Sequence, residues 1–392
     1  MKLHALSLKK SKRWSKQWAT LWAVPPVDHW MAGIWIALAS FGVVSVYSAI
    51  TFLAERVHGT PEHLLMRHLV RTLIGLGMVF LFSRIDYRWL IRWSRKGLIA
   101  ALGLMAVVHL VGVTVGGATR WIQILGISFQ PSDIVRLMLL LYLTQLLVQK
   151  QTYIQHFSRA FVPLFFWILL SAALIGLEDL STAALLVVIA SIMCFVGRVR
   201  VLHLGGLVLV GGFLAYLLLL ASPERAARIE SFVGVKLFPH TSTEEVFDVR
   251  GEGYQRRQAL IAFATGGLTG VGPGKSRQRD FLPASYNDFI FAIIAEEYGL
   301  IGVIILLGAF VFILGRGFLH IARRAPDPAG FLLTVGLTTA LVLYAFVNAG
   351  VACGLLPVTG LPMPFISYGG TSMLITGVMV GILLNISRQS TG

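Results

Sequence analysis

Long apolar runs alternate with short polar connections along almost the whole chain, and this pattern predicts a bundle of membrane-spanning helices. A helix needs about 20 apolar residues to cross the hydrocarbon core. The runs are near-continuous rather than alternating in polarity, which favours helices over a barrel. We therefore predict an all-α membrane protein with ten transmembrane helices, at about 30–53, 67–83, 97–115, 133–149, 161–177, 180–197, 201–221, 286–315, 329–351 and 369–387.

One long polar segment interrupts this pattern. Residues 222–285 separate predicted helices 7 and 8 and form the largest loop between two apolar runs. A basic segment, 1–29, precedes the first run, and a short tail, 389–392, follows the last. The first run is long enough to remain as a span, and no cleavage signal follows a short apolar stretch. Residues 30–388 are thus expected to form one membrane domain.

Lysines and arginines predict which face of the membrane each loop occupies. Basic residues mark cytoplasmic loops, and here they border every second connection. The clusters are the N-terminal lysines, then Arg84 to Lys96, Lys150 and Arg159, Arg198 and Arg200, Arg316 to Arg324, and Arg388. All of them fall on one side of a ten-helix arrangement. We therefore expect both termini in the cytoplasm and the 222–285 loop outside.

Composition supports a membrane protein and argues against a nucleic-acid partner. The chain has 392 residues, of which 56% are hydrophobic and 13% charged, whereas soluble domains have about 25% charged residues. Its net charge of +15 comes from basic residues beside apolar runs, as expected for topology signals. The two cysteines, Cys194 and Cys353, fall on opposite faces, which disfavours a disulfide, and they form no metal-ligand pair.

The acidic residues are distributed unevenly between the two faces. Of the 18 aspartates and glutamates, only Asp28, Asp86 and Asp327 are predicted on the cytoplasmic side. Acidic residues contribute little to membrane orientation, so insertion does not require this placement. It suggests that chemistry takes place at the outer face.

Asp248 is the candidate general base in the outer loop. It lies close to Gly251 and Gly253. A carboxylate held near an apolar surface has its pKa raised from about 3.9 toward neutrality, as general-base catalysis requires. From composition alone, a solvated loop aspartate is the simpler interpretation.

The run from Gly270 to Ser276 superficially matches a nucleotide phosphate loop. The match fails because Thr269 stands where that pattern requires glycine, so we reject a nucleotide site. Lys275, with the arginines that follow it, is suited either to contact a pyrophosphate or to interact with the membrane surface.

Asp133 and Arg136 lie one helical turn apart at the outer end of predicted helix 4. They are placed to pair with each other, or Arg136 is free to hold a phosphate. Asp179, with the preceding Glu178, separates helices 5 and 6. Ionisable residues inside a membrane are usually functional, but at a helix break they also serve as caps, and both interpretations stand.

Glu296 and Glu297 lie inside predicted helix 8. Acidic residues at that depth must face the bundle interior or a hydrated cavity. We expect them to pair with a buried arginine or with backbone groups, in a structural role rather than a catalytic one.

These stretches, in this order, resemble the SEDS family (shape, elongation, division and sporulation), whose members include FtsW and RodA. Residues 248–255 are similar to the family pattern Asp-Pro-x-Gly-x-Gly-Tyr-Gln, with Val249 in place of proline. Residues 130–136 resemble Gln-Pro-Ser-Glu-x-x-Lys, with Asp133 and Arg136 as the charged pair. Residues 361–370 fit the closing Pro-Phe-Ile-Ser-Tyr-Gly-Gly.

The remaining matches to the family patterns are less complete, or they distinguish one member of the family from another. Residues 282–291 resemble Leu-Pro-Glu-x-His-Thr-Asp-Phe-Ile-Phe with three departures, and Glu296 to Gly299 fits the following Glu-Glu-x-Gly. Only part of Gln-Pro-Asp-Leu-Gly-Thr remains around Asp179. The sequences 276–278 and 383–387 look more like FtsW than RodA. The resemblance covers about residues 30–388.

The resemblance implies a peptidoglycan glycosyltransferase that polymerises lipid II, with undecaprenyl pyrophosphate as the leaving group. The family's proposed catalytic aspartate falls on Asp248. The expected substrate-contacting residues are Arg120, Asp133, Arg136, Asp179, Gln255, Lys275, Asp288, Ser367 and Tyr368. Of the outer cations, Arg120, Arg136 and Lys275 are the candidates for the pyrophosphate. We expect no dedicated metal site, and leave open a Mg²⁺ ion carried by the pyrophosphate.

The same resemblance implies partners and a location. A class B penicillin-binding protein transpeptidase and other division proteins are the expected partners. The expected location is the bacterial cytoplasmic membrane, at the division septum. Three alternatives remain: a flippase that moves lipid II across the membrane, an elongation-type polymerase like RodA, and a scaffold for a partner synthase. A flippase needs charges along a path to the cytoplasm, whereas the acidic residues here are concentrated outside.

Overall fold

The protein is a helical bundle with one long polar segment between two of its helices. The computed structural model describes residues 27–56, 61–111, 113–115, 118–124, 127–235, 237–238, 252–283 and 285–390. In these ranges the helices are α1 (His29–Arg56), α2 (Pro61–Arg84), α3 (Tyr87–Val111), α4 (Pro131–Gln149), α5 (Val162–Glu178), α6 (Leu180–Val196), α7 (Val201–Leu220), α8 (Pro223–Val233), α9 (Glu252–Gly266), α10 (Ile290–Arg316), α11 (Pro328–Ala352) and α12 (Thr371–Gln389).

All ten predicted spans overlap helices of this bundle. By length and composition, eight helices in the described part of the chain are able to cross a membrane: α1, α2, α4, α5, α7, α10, α11 and α12. Of the other two, α6 has 17 residues, and α3 becomes continuously apolar only after Lys96. The mainly helical membrane architecture is therefore confirmed.

Two helix boundaries differ from the sequence prediction. Helix α3 begins at Tyr87, ten residues before the predicted start, because its basic first turns are helical although they are not apolar. Helix α10 begins at Ile290, so that Asp288 lies in the preceding turn rather than inside a span. The apolar pattern predicts which part of a helix can lie within the lipid. It does not predict the residues at which the helix begins and ends.

The outer connection between α3 and α4 contains a small antiparallel sheet that the apolar pattern did not predict. Its strands are β1 (Val113–Val115), β2 (Ala118–Ile124) and β3 (Ile127–Phe129), in the order β1-β2-β3. Val113 pairs with Trp121, and Ile122 pairs with Phe129. These short segments are rich in β-branched and aromatic residues, which favour strands.

Helices α4, α11 and α12 are largely buried and form the centre of the bundle, whereas α7 is mostly exposed and lies at its edge. Small residues bring α12 close to α2. A Cβ at Gly377 would collide with the carbonyl of Gly75, and one at Gly381 would lie 2.7 Å from the Cβ of Phe82. Membrane helices pack closely through such small residues, because the hydrophobic effect does not drive association within lipid.

The helix ends that border basic clusters gather at one end of the bundle. Arg316 Nε lies 2.8 Å from Asp28 Oδ2, joining the end of α10 to the start of α1. Arg88 Nε lies 2.7 Å from Asp327 Oδ2, joining the starts of α3 and α11. The backbone N–H of Asp28 donates to Ser387 Oγ of α12 at 3.2 Å. The start of α4 and the start of α12 meet at the opposite end. The helix ends thus alternate as the basic residues predicted.

The polar segment 222–285 contains two helices, α8 and α9. Pro223 is the first residue of α8, and Gly234 ends it in the left-handed conformation, at φ 76°. Proline suits a first helical position and glycine a left-handed cap. Arg225 donates to the carbonyls of Gly176 and Leu177. It thereby caps the C-terminus of α5 and fastens α8 to the bundle.

Candidate functional site

A buried carboxylate–guanidinium pair lies at the N-terminal end of α4. Arg136 Nη2 is 3.1 Å from Asp133 Oδ1, and the two side chains are 4% and 9% exposed. Thr371, the first residue of α12, donates from its hydroxyl to Asp133 Oδ2 at 3.4 Å and accepts from Gln130 N at 3.1 Å. The pair interpretation is therefore confirmed, and the pair is held by two helices.

Tyr344 of α11 extends this cluster. The Arg136 guanidinium lies 4.1 Å from the centre of the Tyr344 ring, within range of a cation–π interaction. Asp179 interacts electrostatically with the same tyrosine. Asp133, Arg136 and Asp179, three residues singled out from the sequence, are thus grouped around one aromatic side chain.

Asp179 also caps a helix. Its Oδ1 accepts from Ser181 N at 2.9 Å and from Thr182 N at 3.1 Å, at the start of α6. A cap of this kind satisfies amide groups that have no partner within the helix. The capping interpretation is confirmed, and both bonds are accepted by the same carboxylate oxygen, Oδ1.

Asp288 and Ser367 belong to two outer segments that are hydrogen-bonded to each other. Ser367 Oγ donates to the Asn287 carbonyl at 2.7 Å and accepts from Met363 N at 2.8 Å. The side-chain amide of Asn348, on α11, donates to the carbonyls of Asp288 and Leu361 at 2.9 and 2.8 Å. The turn before α10 is therefore fixed against the loop before α12.

Tyr368 continues this contact toward α2. Its N–H donates to the Tyr286 carbonyl at 2.9 Å. Its ring stacks on His68 at 5.5 Å and meets the ring of Tyr286 edge-on at 5.4 Å. Arg71 lies 4.9 Å from the ring centre. Burial, together with Tyr368 and Asp288, raises the pKa of Tyr286, so its hydroxyl remains protonated at neutral pH.

The glycine-rich run 266–274 packs against a break in α10. At Gly299 the helix is interrupted by a residue at φ 64° and ψ −166°. Val271 N and Gly272 N donate to the carbonyls of Glu296 and Glu297 at 2.9 and 3.0 Å. Leu300 N and Ile301 N donate to the carbonyls of Gly267 and Leu268 at 2.9 and 3.1 Å. The run thus supplies the hydrogen bonds that the broken helix lacks.

Gly266 and Gly270 of this run, and Gly299 of α10, are required by close backbone approach. A Cβ at Gly270 would collide with the carbonyl of Glu297, and one at Gly299 would collide with the backbone of Gly270. Both residues also have positive φ. This contact explains the glycine pattern without any phosphate ligand.

Glu296 and Glu297 have structural partners, as expected. Glu296 accepts from Ser276 Oγ and, at 3.1 Å each, from the backbone N–H groups of Arg277 and Gln278. Glu297 accepts from Ser48 Oγ of α1. The neighbouring Lys275 is exposed. The partners are therefore hydroxyl and backbone groups, and they tie the segment after α9 to α1 and α10.

The remaining sequence candidates are placed as follows. Asp248 lies outside the described residues. Arg120 lies on β2, with its side chain outside the described part of the structure. Gln255 lies half-buried on α9. On this helix, Arg256 donates to the Gly354 carbonyl at 3.2 Å, which fixes α9 to the end of α11.

Sequence reasoning missed several residues of these clusters: Arg71, His68, Tyr286, Tyr344, Asn348 and Thr371. Polar side chains inside apolar runs are expensive and usually face the protein interior. His68 and Arg71 lie three residues apart on α2, and Tyr344 and Asn348 lie four apart on α11, so each pair shares a helix face. The helical spacing of these polar residues was the feature from which the sequence could have predicted them.

No three histidine, cysteine, aspartate or glutamate side chains converge on a possible metal site in the described ranges. Two of the buried carboxylates there have other partners. Asp133 is paired with Arg136, and Glu296 with hydroxyl and amide groups. The arrangement at the outer end is thus suited to bind charged and sugar-like groups through guanidinium, hydroxyl and backbone donors.

Comparison with known sequences identifies relatives along nearly the whole chain. The profile of the FtsW, RodA and SpoVE family, described as "Cell cycle protein", matches residues 28–392. The probable peptidoglycan glycosyltransferase FtsW of Geobacter metallireducens is 36% identical over 361 residues, covering 91% of this chain and 93% of that protein. Stage V sporulation protein E of Bacillus subtilis is 36% identical over 364 residues, covering 91% and 96%.

Solved structures show the same architecture. One chain of a peptidoglycan synthase complex that coordinates polymerization and crosslinking aligns with a TM-score of 0.70 at 26% identity, covering 93% of this chain and 98% of that one. The rod shape determining protein RodA of Thermus thermophilus aligns with a TM-score of 0.67 at 27% identity, covering 94% and 98%. This chain belongs to the SEDS family of FtsW, RodA and SpoVE.

Proposed function

We propose that the protein is a peptidoglycan glycosyltransferase that polymerises lipid II into glycan strands during cell division. The observation that carries this proposal is the match over 91% of the chain to relatives named probable peptidoglycan glycosyltransferase FtsW. The similarity includes the segments that build the outer clusters. A division role follows the FtsW names, and an elongation role like that of RodA is the alternative.

The proposed topology has ten spans, with both termini in the cytoplasm and the 222–285 segment outside. Its support is the grouping of basic-bordered helix ends at one end of the bundle. The carboxylate–guanidinium cluster and the closing loop lie at the opposite end. The protein is then a multi-pass protein of the bacterial cytoplasmic membrane, with its site facing the outer leaflet, and we place it at the septum.

In the proposed reaction, an acceptor hydroxyl attacks the anomeric carbon of a lipid-linked sugar. The new glycosidic bond forms while the bond from that carbon to the pyrophosphate oxygen breaks. Asp248 accepts the proton of the hydroxyl, and undecaprenyl pyrophosphate leaves with the bonding electrons. Asp248 precedes α9 by four residues, and Arg256 fastens that helix to the end of α11. The attachment of α9 to α11 supports a catalytic role for the segment that contains Asp248.

The leaving pyrophosphate carries negative charge that cations must neutralise. Arg136 has five N–H donors, and its contact with Asp133 uses only part of the guanidinium. Arg120 and Lys275 are the other proposed cations. A Mg²⁺ ion carried by the pyrophosphate would supply further charge neutralisation. Asp288 is a further proposed substrate contact. The remaining proposed substrate contacts are Gln255, Ser367 and Tyr368.

We further propose a class B penicillin-binding protein as the partner. One solved relative is a chain of a peptidoglycan synthase complex that coordinates polymerization with crosslinking. Coupling of the two reactions requires the polymerase site and the partner's crosslinking site to face the same compartment. The proposed outward orientation of the clusters meets this requirement.

The test uses the purified full-length protein with its partner in detergent, together with labelled lipid II. Formation of a glycan polymer supports the proposal, since no membrane separates two compartments in this assay. A flippase would leave lipid II unpolymerised there and would move it across vesicles instead. A scaffold would give no polymer with a transpeptidase partner, and would give polymer only when a separate synthase with its own glycosyltransferase activity is added.

A further inference from the structure

A polar cavity of about 500 Å³ opens at the end of the bundle opposite the candidate site. It lies where the end of α2, the start of α3 and the end of α12 meet. Its lining includes Arg84, Asp86, Arg88, Asn385 and Arg388. Nothing in the proposed glycosyl transfer uses this cavity.

The cavity carries an excess of positive charge. Three arginines line it against one aspartate. Arg88 is already paired, at 2.7 Å with Asp327 and at 3.9 Å with Asp86. Arg84 lies over the ring of Phe80 at 4.8 Å, and in the described residues neither Arg84 nor Arg388 has a carboxylate within 4.0 Å. Two guanidinium groups are therefore available to an anion.

A buried asparagine holds the wall of the cavity in place. Asn385 is 3% exposed. Its Nδ2 donates to the Ser83 carbonyl at 3.0 Å, and its Oδ1 accepts from Tyr87 N at 3.2 Å and from Gln389 Nε2 at 2.9 Å. These bonds join all three helices beside the arginines. The cationic wall is therefore organised before any ligand arrives, which lowers the entropic cost of binding.

Exposed aromatic residues indicate at which level of the membrane the cavity lies. Trp89 and Trp93 lie on the outer surface of α3, with ring centres 6.4 Å apart, and Lys96 is 4.5 Å from the Trp93 ring. Tryptophans are enriched at the level of the lipid headgroups. Because α3 begins beside the cavity, the cavity opens at the headgroup level of the leaflet that faces the basic helix ends.

From these observations we infer that Arg84 and Arg388 bind the phosphate group of an anionic phospholipid in the cytoplasmic leaflet. Guanidinium groups suit phosphate because they offer paired N–H donors in a fixed plane. Basic pockets between spanning helices on the cytoplasmic side are suited to anionic headgroups. Exposed tryptophans on α3, the helix whose start lines the cavity, favour a lipid over free phosphate, because tryptophan is enriched at the level of the lipid headgroups.

The test measures lipid binding by native mass spectrometry of the purified full-length protein. The probes are phosphatidylglycerol, phosphatidylcholine and sodium phosphate, each added separately. We expect phosphatidylglycerol to remain bound and to raise the unfolding temperature, whereas the other two do neither. Losing the direct hydrogen bonds from two guanidinium groups to one phosphate costs at least about 2 kcal/mol. The double variant Arg84→Gln/Arg388→Gln should therefore bind phosphatidylglycerol about 30-fold more weakly, at 1.4 kcal/mol per tenfold change.

The matched control is Arg92→Gln/Arg95→Gln, which removes two exposed arginines of α3 outside the cavity. It should leave binding within about threefold, a difference below 1 kcal/mol. Equal weakening by both double variants would overturn the proposal in favour of a diffuse basic surface. Binding of sodium phosphate with the same arginine dependence would overturn the lipid assignment. Arg84→Lys/Arg388→Lys keeps the charges but loses the paired N–H donors, so it should bind more tightly than the glutamine variant and more weakly than the wild type. The unfolding temperature of the glutamine variant without lipid should equal that of the wild type, and this excludes unfolding as the cause of lost binding.

Discussion

Asp133 and Arg136 form a buried ion pair, with Oδ1 and Nη2 separated by 3.1 Å. Each is largely removed from solvent, and the pair is enclosed by Thr371 of α12 and Tyr344 of α11. Three helices therefore meet around two opposite charges. Removing one member of such a pair leaves the other charge buried without compensation, which is far more costly than losing a surface pair.

Arg136→Ala is accordingly expected to impair the enzyme more than Arg136→Lys, because lysine keeps a cation beside Asp133. Breaking a buried pair costs about 3–5 kcal/mol. The measurement is lipid II polymerisation at matched membrane abundance, together with the unfolding temperature. Arg257→Ala removes an exposed arginine of α9 and is the control. Wild-type activity in Arg136→Ala would contradict this prediction.

Asp248→Asn should reduce glycan polymerisation by about 10²–10⁴-fold, because asparagine keeps the size of the side chain but accepts no proton. The variant should retain normal abundance and partner binding. The nearby amides Glu244→Gln, Glu245→Gln and Glu252→Gln are the controls and should keep near-normal turnover. Should Asp248→Asn polymerise normally, the base lies elsewhere, with Asp288 and Asp179 the next candidates. Loss of partner binding would instead support the scaffold alternative.

Gly270→Ala should sharply lower the amount of folded protein. The new methyl group would collide with the carbonyl of Glu297, and the residue has φ 79°, a conformation that costs a non-glycine residue about 1–2 kcal/mol. The combined loss should exceed about 2 kcal/mol of unfolding free energy. Gly77→Ala on α2 has open space around the new carbon and should be tolerated. Similar behaviour of the two variants in thermal unfolding would argue against the packing role.

A reporter fused after Arg324 should read as cytoplasmic. Arg324 follows α10 at the end of the bundle where Arg316 contacts Asp28 and Arg88 contacts Asp327. The matched control is a second reporter placed after Val235, just beyond α8, which should read as extracytoplasmic. An extracytoplasmic signal from the first fusion would invalidate the ten-span topology.

Asp327→Ala should destabilise the protein by about 1 kcal/mol, since Asp327 Oδ1 caps α11 by accepting from Gly330 N at 2.7 Å. Burial acts to raise the pKa of Asp327, but the hydrogen bonds from Gly330 and Arg88 outweigh it, and the pKa falls below its ordinary value. A carboxyl whose pKa is lower in the folded state than in the unfolded state stabilises the folded protein at any pH above its unfolded-state pKa. This stabilisation is lost as the pH falls through the folded-state pKa.

The difference in unfolding temperature between wild type and Asp327→Ala should therefore be constant from neutral pH down to about pH 4 and shrink in stronger acid. Glu62→Ala is the control, because Glu62 is an exposed carboxylate of α2. Its effect should stay within about 0.5 kcal/mol at every pH. A pH-independent difference for Asp327→Ala would show that the cap acts without its charge.

The spans were predictable because a membrane imposes a single strong requirement on length and polarity. That requirement located a helix at each of the ten apolar runs. It did not reveal that α3 begins at Tyr87, because the first turns of that helix are basic and lie outside the apolar run. Helices α8 and α9 were missed for the same reason, since both are polar.

The candidate site was only partly readable from sequence. Asp133 and Arg136 were recognisable from their spacing of one helical turn. Thr371 and Tyr344 were not, because their contact with this pair depends on how α11 and α12 pack against α4. For the glycine-rich run, the sequence suggested a ligand contact, whereas the structure shows a packing contact. Its composition is compatible with anion binding, whereas its hydrogen bonds are made to the broken helix α10.

The break at Gly299 bears on how the protein is assembled during synthesis. The hydrogen bonds across it join positions 267–272 to positions 296–301, which are close in sequence. Contacts between nearby positions form quickly, because little chain entropy is lost in closing a short loop. The segment after α9 is therefore able to dock as soon as α10 emerges into the bilayer. The exposed backbone groups of the broken turn would then be bonded to the preceding segment before the last two helices are inserted.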